Sequence, residues 1–300
     1  MRVGSRSSPL ALAQTRLVTD RLGPDLEVIT TERLRAAGGG PLPADKRRWV
    51  ADLEEALLEG RIDLAVHSAK DLPGQEREGL TIGCVLPRGP AADSLVCRQG
   101  EPGRLADLPA GATVGTGSIR RAAQLRALRP DLEVLPLAGN VDTRLRRLRD
   151  GDFAAIVLAQ AGLKRLGHSR LGRPFALKEL VPAPGQGAIV VQLRAGEEEL
   201  GRRLAPLHDP LTAACLAAER ATARALGADC NTALGVHARA IGHGQLEVIA
   251  WLGLPDGSVW LRDRAVGKME QPELLGHLLA DRLLSAGGEA LLAGRRPDGG

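Results

Sequence analysis

The chain has 300 residues, 44% hydrophobic and 25% charged, which fits a globular protein of two or three domains and excludes a mainly disordered one. No apolar run reaches the roughly 18 residues of a membrane span. The N-terminal Met1-Arg2-Val3-Gly4-Ser5-Arg6 lacks the apolar core of a secretory signal, so a cytoplasmic protein is expected. A net charge of +4 does not predict a nucleic-acid partner, and five aromatic residues make no stacking platform for single strands.

Through the first half, short apolar runs alternate with helical patterns, which predicts βαβ units and an α/β class. Met1–Gly4 and Leu26–Thr30 read as strands. Between them Ser8 caps a helix that Pro9 opens, with Leu10, Ala13, Leu17 and Val18 as its apolar face. Residues 36–47 hold Gly38-Gly39-Gly40, two prolines and mixed charge, and read as a mobile loop. A helix with Trp49, Leu53 and Leu57 on one stripe follows, then a strand over Asp63–His67.

A second α/β unit runs from about Asp93 to Leu180. In it Thr113-Val114-Gly115 ends a strand and Ser118 caps a helix carrying Arg120 and Arg121. Asp152–Ala159 has the continuous apolar character of a buried parallel strand. Pro182–Gln192 returns to extended structure. Past His208, Asp209-Pro210 opens a helix that Gly227 stops. The runs Leu234–Ala240, Leu246–Leu252 and Ser258–Val266, with a helix over Pro272–Leu284, give an α+β pattern with a small antiparallel sheet. Residues 295–300 are expected to fray.

Ser68-Ala69-Lys70-Asp71-Leu72-Pro73 follows directly on an apolar strand, where open α/β sheets bind ligands. Asp71 is either a turn aspartate beside a neutralising lysine or a carboxylate that accepts an N–H bond or stabilises a cation. Between Gly115 and Arg149 stand eight arginines, no lysine and three acids. That is either a solvated basic face or a set of guanidinium forks for carboxylates and phosphates.

Gly115-Thr116-Gly117-Ser118-Ile119-Arg120-Arg121 joins glycines, a helix N-terminus and two arginines into an anion site. Gly139-Asn140-Val141-Asp142-Thr143-Arg144 repeats the turn, cap and arginine, and Arg6 before the first helix is a third such point. Three anion points suit a ligand bearing several carboxylates. Cys84, Cys97, Cys215 and Cys230 form no C-x-x-C and have no histidine cluster, so neither zinc nor disulfides are expected. Residue chemistry alone reads Cys230 as an ordinary loop cysteine, because Asp229 beside it raises a thiol pKa.

Seven ordered segments closely resemble the porphobilinogen deaminase (hydroxymethylbilane synthase) family, over nearly the whole chain. They are Gly4–Gln14, Val66–Pro73, Gly115–Arg121, Gly139–Leu145, Ala161–Gly167, Pro184–Ala188 and the run from Cys215 to Ala218-Glu219-Arg220. The resemblance implies two α/β lobes like type-2 periplasmic binding proteins plus a third, α+β domain. The lobes are residues 1–90 completed by 187–205, and 91–186; the third domain is 206–300.

By the same resemblance, four porphobilinogen molecules condense with loss of ammonia into the linear tetrapyrrole hydroxymethylbilane. A dipyrromethane cofactor is held by a thioether to Cys230. The catalytic carboxylate maps to Asp71. Cofactor contacts map to Lys70, Ser118, Arg120, Arg121 and Gln186, and substrate contacts to Arg6, Ser8, Thr116, Arg144 and Arg165, with no metal.

Each pyrrole carries an acetate and a propionate, so guanidinium forks and helix N-termini offset a growing negative charge. Loss of ammonia leaves an electron-poor azafulvene, whose cationic form a carboxylate at Asp71 stabilises. The tether makes each condensation effectively intramolecular. The loop at 36–47 is expected to act as a lid. A monomer is expected, acting on the small molecule porphobilinogen and on neither nucleic acid nor membrane.

Three positions depart from the family pattern. Ala138 replaces an arginine before Gly-Asn-Val, Ala51 replaces a lysine, and Ala228-Asp229 replace two glycines before the cysteine. Ala138 and Ala51 motivate the alternative, a degenerate non-enzymatic relative that binds a polycarboxylated small molecule.

Overall fold

The structure, a computed structural model, describes residues 1–36, 46–98, 103–229 and 231–296. The chain divides into two units, residues 1–89 with 187–213, and residues 90–186 with 214–300.

In the first unit, β1 (Arg2–Ser5) leads into α1 (Pro9–Leu22). Ser8 caps α1 as expected, its hydroxyl accepting from Ala11 N at 3.3 Å. Then follow β2 (Glu27–Thr30), α2 (Thr31–Ala36), α3 (Lys46–Leu58), β3 (Leu64–Ser68) and β4 (Leu80–Val85). After the second unit's first sheet the chain returns as Ile189–Arg194, β10 in chain order, and Glu198–Leu204, α7. The sheet order is β2-β1-β3-β10-β4, with β1 parallel to β2 and β3, and β10 antiparallel to β3 and β4.

Strand alternation fills both faces of this sheet. Leu64 and Val66 meet Val3, Val18 and Val191 on one side, and Ala65 lies with Leu53 and Leu57 of α3 on the other. Trp49, expected on the stripe of Leu53 and Leu57, has a side chain outside the described residues, as has the core of the expected lid, 37–45. The face expected for α1 is corrected: Ala11, Gln14, Thr15 and Val18 are buried, and Leu17 is 38% exposed. Gln14 and Thr15 enter the interior because hydrogen bonds meet their polar atoms there.

The second unit opens with β5 (Asp93–Cys97), β6 (Thr113–Thr116), α4 (Ile119–Leu128), β7 (Glu133–Pro136) and α5 (Val141–Arg149). Next come β8 (Ala155–Ala159), α6 (Gln160–Arg165) and the short β9 (Arg173–Pro174). The order is β7-β6-β8-β5-β9, with β8 parallel to β6 and antiparallel to β5. The strand expected from Asp152 starts at Ala155, because Asp152 is drawn into a turn where it accepts from Arg147 Nε at 2.7 Å. Of Pro182–Gln192 only Ile189 onward is strand; Gln186 N donates to Ala183 O in a turn before it.

α8 (Pro210–Ala225) ends just before Gly227, and Ala214 onward belongs to the second unit. β11 (Leu234–Gly242), β12 (Gln245–Gly253) and β13 (Trp260–Lys268) form the expected antiparallel sheet, followed by α9 (Pro272–Leu283) and α10 (Glu289–Leu292). Val236, Val248, Ala250 and Leu252 share one core with Ala218 of α8 and Leu275, Leu279 and Leu283 of α9. Ile249 and Trp251 of β12 share another with Ala123 of α4 and Val181. Helix α4 is therefore held from its own sheet and from this one. Among the described residues no helix is long and apolar enough to cross a membrane.

Gly276 lets α9 approach α8 closely: a Cβ there lies 2.5 Å from Ala218 O and 2.8 Å from Ala221 Cβ. Gly276→Val is expected to destabilise the chain by about 1–3 kcal/mol, read as a lower urea midpoint at unchanged slope. A wild-type midpoint would show that the two helices part freely.

Candidate active site

In the first unit the site grows from the carboxyl end of β3. The strand stops at Ser68, and one 3-10 turn, Ala69–Asp71, carries exposed Lys70 and then Asp71. Arg6, the first residue after β1, brings Nη1 to 3.6 Å from Asp71 Oδ2. Their side chains are 30% and 27% exposed, so both remain open to a ligand. Burial lowers the proton affinity of Arg6, against the opposing pull of Asp71 and Glu32.

The frame around this pair is tied by hydroxyls and an amide. Gln14 Nε2 donates to Ser68 Oγ at 2.7 Å, and Thr15 Oγ1 donates to Ser5 Oγ at 2.7 Å, so α1 grips the ends of both β1 and β3. Ser7 donates to Glu32. Ser8 is occupied as the cap of α1.

In the second unit the site grows from the loop between β6 and α4. Thr116 ends β6, and its hydroxyl accepts from Ser118 N at 3.3 Å. Ser118 Oγ in turn accepts from Arg121 N at 3.4 Å as the helix cap. Gly117 has no room for a side chain: a Cβ there lies 2.6 Å from Leu137 O and 3.4 Å from an Arg144 terminal nitrogen. Arg144 is on α5, capped by Asn140, which accepts from Thr143 N. Arg144 Nε donates to Gly139 O at 2.8 Å. Burial, and then the like charge of Arg121, lower its proton affinity. No ion pair joins it to a carboxylate among the described residues. Arg165, the last residue of α6, is pushed down to about 10 by burial.

Arg120 and Arg121, expected as open forks, are 4% and 5% exposed, and both close on Asp93, which is fully buried at the start of β5. Arg120 Nη1 donates to Asp93 Oδ2 at 2.8 Å and to Val181 O at 2.7 Å. Arg121 Nε donates to Asp93 Oδ1 at 2.8 Å, and Arg121 Nη1 donates to Val157 O at 3.0 Å. Gln186 Nε2 donates to the same Oδ1 at 2.8 Å and to Ala91 O at 2.6 Å. Burial alone raises the Asp93 pKa; Arg120, Arg121 and Gln186 reverse that and hold it far below the usual carboxylate range.

Sequence reasoning missed Asp93, whose only signal is a charge opening an apolar run. It also missed the structural role of Glu219. That buried α8 carboxylate accepts from Gly185 N at 2.6 Å and Ala238 N at 2.8 Å, and so fixes the turn that carries Gln186. Cys230 lies outside the described residues. Beside it, Asp229 Oδ1 accepts from Asn231 N at 2.8 Å and from Thr232 Oγ1 at 3.1 Å.

A family model described as porphobilinogen deaminase, dipyromethane cofactor binding domain, matches residues 1–202, and one described as porphobilinogen deaminase, C-terminal domain, matches residues 213–285. A porphobilinogen deaminase of Roseiflexus castenholzii is 47% identical over 97% of this chain and 98% of its own length. Those of Thiobacillus denitrificans and Deinococcus deserti are each 43% identical, over 97% of both chains and 98% of both chains respectively. Among solved structures, a TRAP periplasmic solute binding protein of Desulfovibrio salexigens aligns with a TM-score of 0.41 at 12% identity, over 69% of this chain and 71% of that one.

Removing the Asp93 carboxylate leaves two buried guanidiniums without their counter-ion. Asp93→Ala is expected to cost about 3–5 kcal/mol of stability. The native state binds the Asp93 proton more weakly than the unfolded chain does. The wild-type stability that Asp93 supplies is therefore complete above about pH 4 and drains away as the pH falls below it. Urea titrations of both proteins at neutral and acid pH check this. An unchanged difference between them at acid pH would refute the assignment.

Proposed function

The chain belongs to the porphobilinogen deaminase family, and we propose that it condenses four porphobilinogen molecules head to tail, with loss of ammonia at each step, into hydroxymethylbilane. The observation that carries the assignment of roles is Asp71, half-exposed at the carboxyl end of β3 with one long contact to Arg6. A carboxylate held that loosely can turn to a ligand. Its negative charge stabilises the cation left on porphobilinogen as ammonia departs, and its oxygens can accept the pyrrole N–H. Arg6, Lys70 and the α1 cap at Ser8 offer positive charge and donors for the acetate and propionate groups.

In the second unit we assign carboxylate binding to the α4 N-terminus with Thr116 and Ser118, to Arg144 and to Arg165. Arg144 supports this fit: it is a partly buried cation beside the like charge of Arg121, and among the described residues its Nε meets only a backbone carbonyl. A dipyrromethane joined by a thioether to Cys230 would supply a protein-held pyrrole with a free α-carbon for condensation. Ser118, Arg120, Arg121, Gln186 and Lys70 are the side chains assigned to hold it. Arg120, Arg121 and Gln186 act through the orientation that Asp93 gives them, and the one positive charge left over from their pairing attracts carboxylates.

We further assign three domains, residues 1–90 with 187–205, residues 91–186 and residues 206–300, and a monomer working in the cytoplasm on a small molecule rather than on nucleic acid or membrane. The separate sheets β7-β6-β8-β5-β9 and β11-β12-β13 support the second domain boundary, and the five aromatics support the exclusion of single-stranded nucleic acid. No observation favours the non-enzymatic alternative: Ala51 and Ala138 are both exposed, so neither shortens a buried group.

Asp71→Ala is expected to lower ammonia release from porphobilinogen by at least about a hundredfold while the intact mass still shows the tethered dipyrrole. Cys230→Ser is expected to lose that added mass. Full turnover by the Asp71 variant, or an unmodified mass for the parent chain made in cells that synthesise porphobilinogen, would sink the assignment.

A further inference from the structure

Beneath α3, the first sheet buries three polar side chains that the site above does not use: His67 of β3, Gln192 of β10 and Glu54 of α3, none more than 6% exposed. In the antiparallel register His67 faces Val190 and Ala65 faces Gln192, so His67 and Gln192 are diagonal neighbours on one face of the sheet. Gln192 Nε2 donates to Glu54 Oε1 at 3.1 Å. A carboxylate only accepts, so the amide nitrogen belongs to Glu54 and the amide oxygen is left over. Among the described residues that oxygen is buried without a hydrogen-bond partner, and so is His67 Nε2.

These two orphans complement each other. A buried acceptor without a donor costs stability, and a neutral imidazole carries one N–H on either nitrogen. With the proton on Nε2, a small rotation of either side chain joins them. The ring has no reason to take a second proton. Burial pushes its pKa down to about 4; Asp71 and Gln192 pull weakly the other way, and Arg6 adds to the effect of burial. The charged groups facing His67 are thus Asp71 from its turn, Arg6 from the end of β1 and, through Gln192, Glu54 from α3.

We propose that His67 is a positioning residue for Asp71: a neutral Nε2–H imidazole, pinned through Gln192 to Glu54, that anchors the end of β3 without adding a cation to compete for the Asp71 carboxylate. An imidazolium at this position would join Arg6 in pairing with Asp71 and draw it away from the pyrrole. The inference rests on the role assigned to Asp71 above.

Nitrogen NMR of the histidine-labelled holoenzyme tests the tautomer directly. His67 is expected as Nε2–H and untitrated from neutral pH down to about pH 5. An Nδ1–H tautomer, or an ordinary pKa near 6.5, overturns the inference. His67→Phe is expected to lower kcat about tenfold with KM nearly unchanged and with full cofactor mass, and His67→Gln, which keeps an N–H at that reach, to restore most of it. An unimpaired His67→Phe, or equal losses in both variants, also overturns it. Where His67→Phe does not fold, Gln192→Leu replaces it: the same kcat loss and a tautomer no longer fixed support the role, and a wild-type result in both refutes it. If Asp71→Ala is inactive and the His67 variants are unimpaired, this inference alone falls. If Asp71→Ala is fully active, the reading of Asp71 falls first.

Discussion

One buried carboxylate orders the arginine-rich unit. Asp93 receives Arg120, Arg121 and Gln186 in an interior where an isolated carboxylate or guanidinium is prohibitively costly. Arg120 Nη1 and Arg121 Nη1 also donate to the carbonyls of Val181 and Val157, while Arg120 Nε is buried without a hydrogen-bond partner among the described residues. The network joins β5, the first turn of α4 and the turn carrying Gln186. It therefore fixes where the α4 N-terminus points, and with it the hydroxyls of Thr116 and Ser118. Two cations on one anion leave a net positive charge at a helix end that already favours anions.

Asp93 and Asp71 show how environment sets identical side chains apart. Asp93 is fully buried and its oxygens are committed, so it has nothing to offer a ligand. Asp71 is reachable by solvent and meets Arg6 at 3.6 Å, too far for a hydrogen bond. A partly exposed pair of this kind contributes little to stability. What it supplies is an available negative charge on a turn that Gln14, Thr15 and the end of β3 hold in place. Placing the committed aspartate in one unit and the available one in the other lets each be surrounded differently.

Features set by local chemistry were legible in the sequence. The caps at Ser8, Ser118 and Asn140, the all-apolar strands and the three-stranded antiparallel sheet follow from neighbours within a few residues, and each is found. The face of α1 was not legible, because Gln14 and Thr15 are buried through bonds to Ser68 and Ser5 that hydrophobic periodicity does not register. Asp93 was not legible because its partners lie 27, 28 and 93 residues away. Arg120 and Arg121 were legible as an anion-seeking pair, but the anion they meet first belongs to the chain itself. Asp71 carried two readings in the sequence, and the role proposed for Cys230 rests on family resemblance alone.

This division between buried and exposed charge extends to the positions that differ from what the family resemblance implies. Ala138 and Ala51 stand at exposed positions, where a lost arginine or lysine removes at most about 1 kcal/mol of pairing. Asp229, where the resemblance implies a glycine, accepts from Asn231 N and Thr232 Oγ1. The exposed charges are replaceable because water compensates them. Asp93, Arg120, Arg121 and Glu219 are not, because inside the protein only neighbouring side chains and the backbone can.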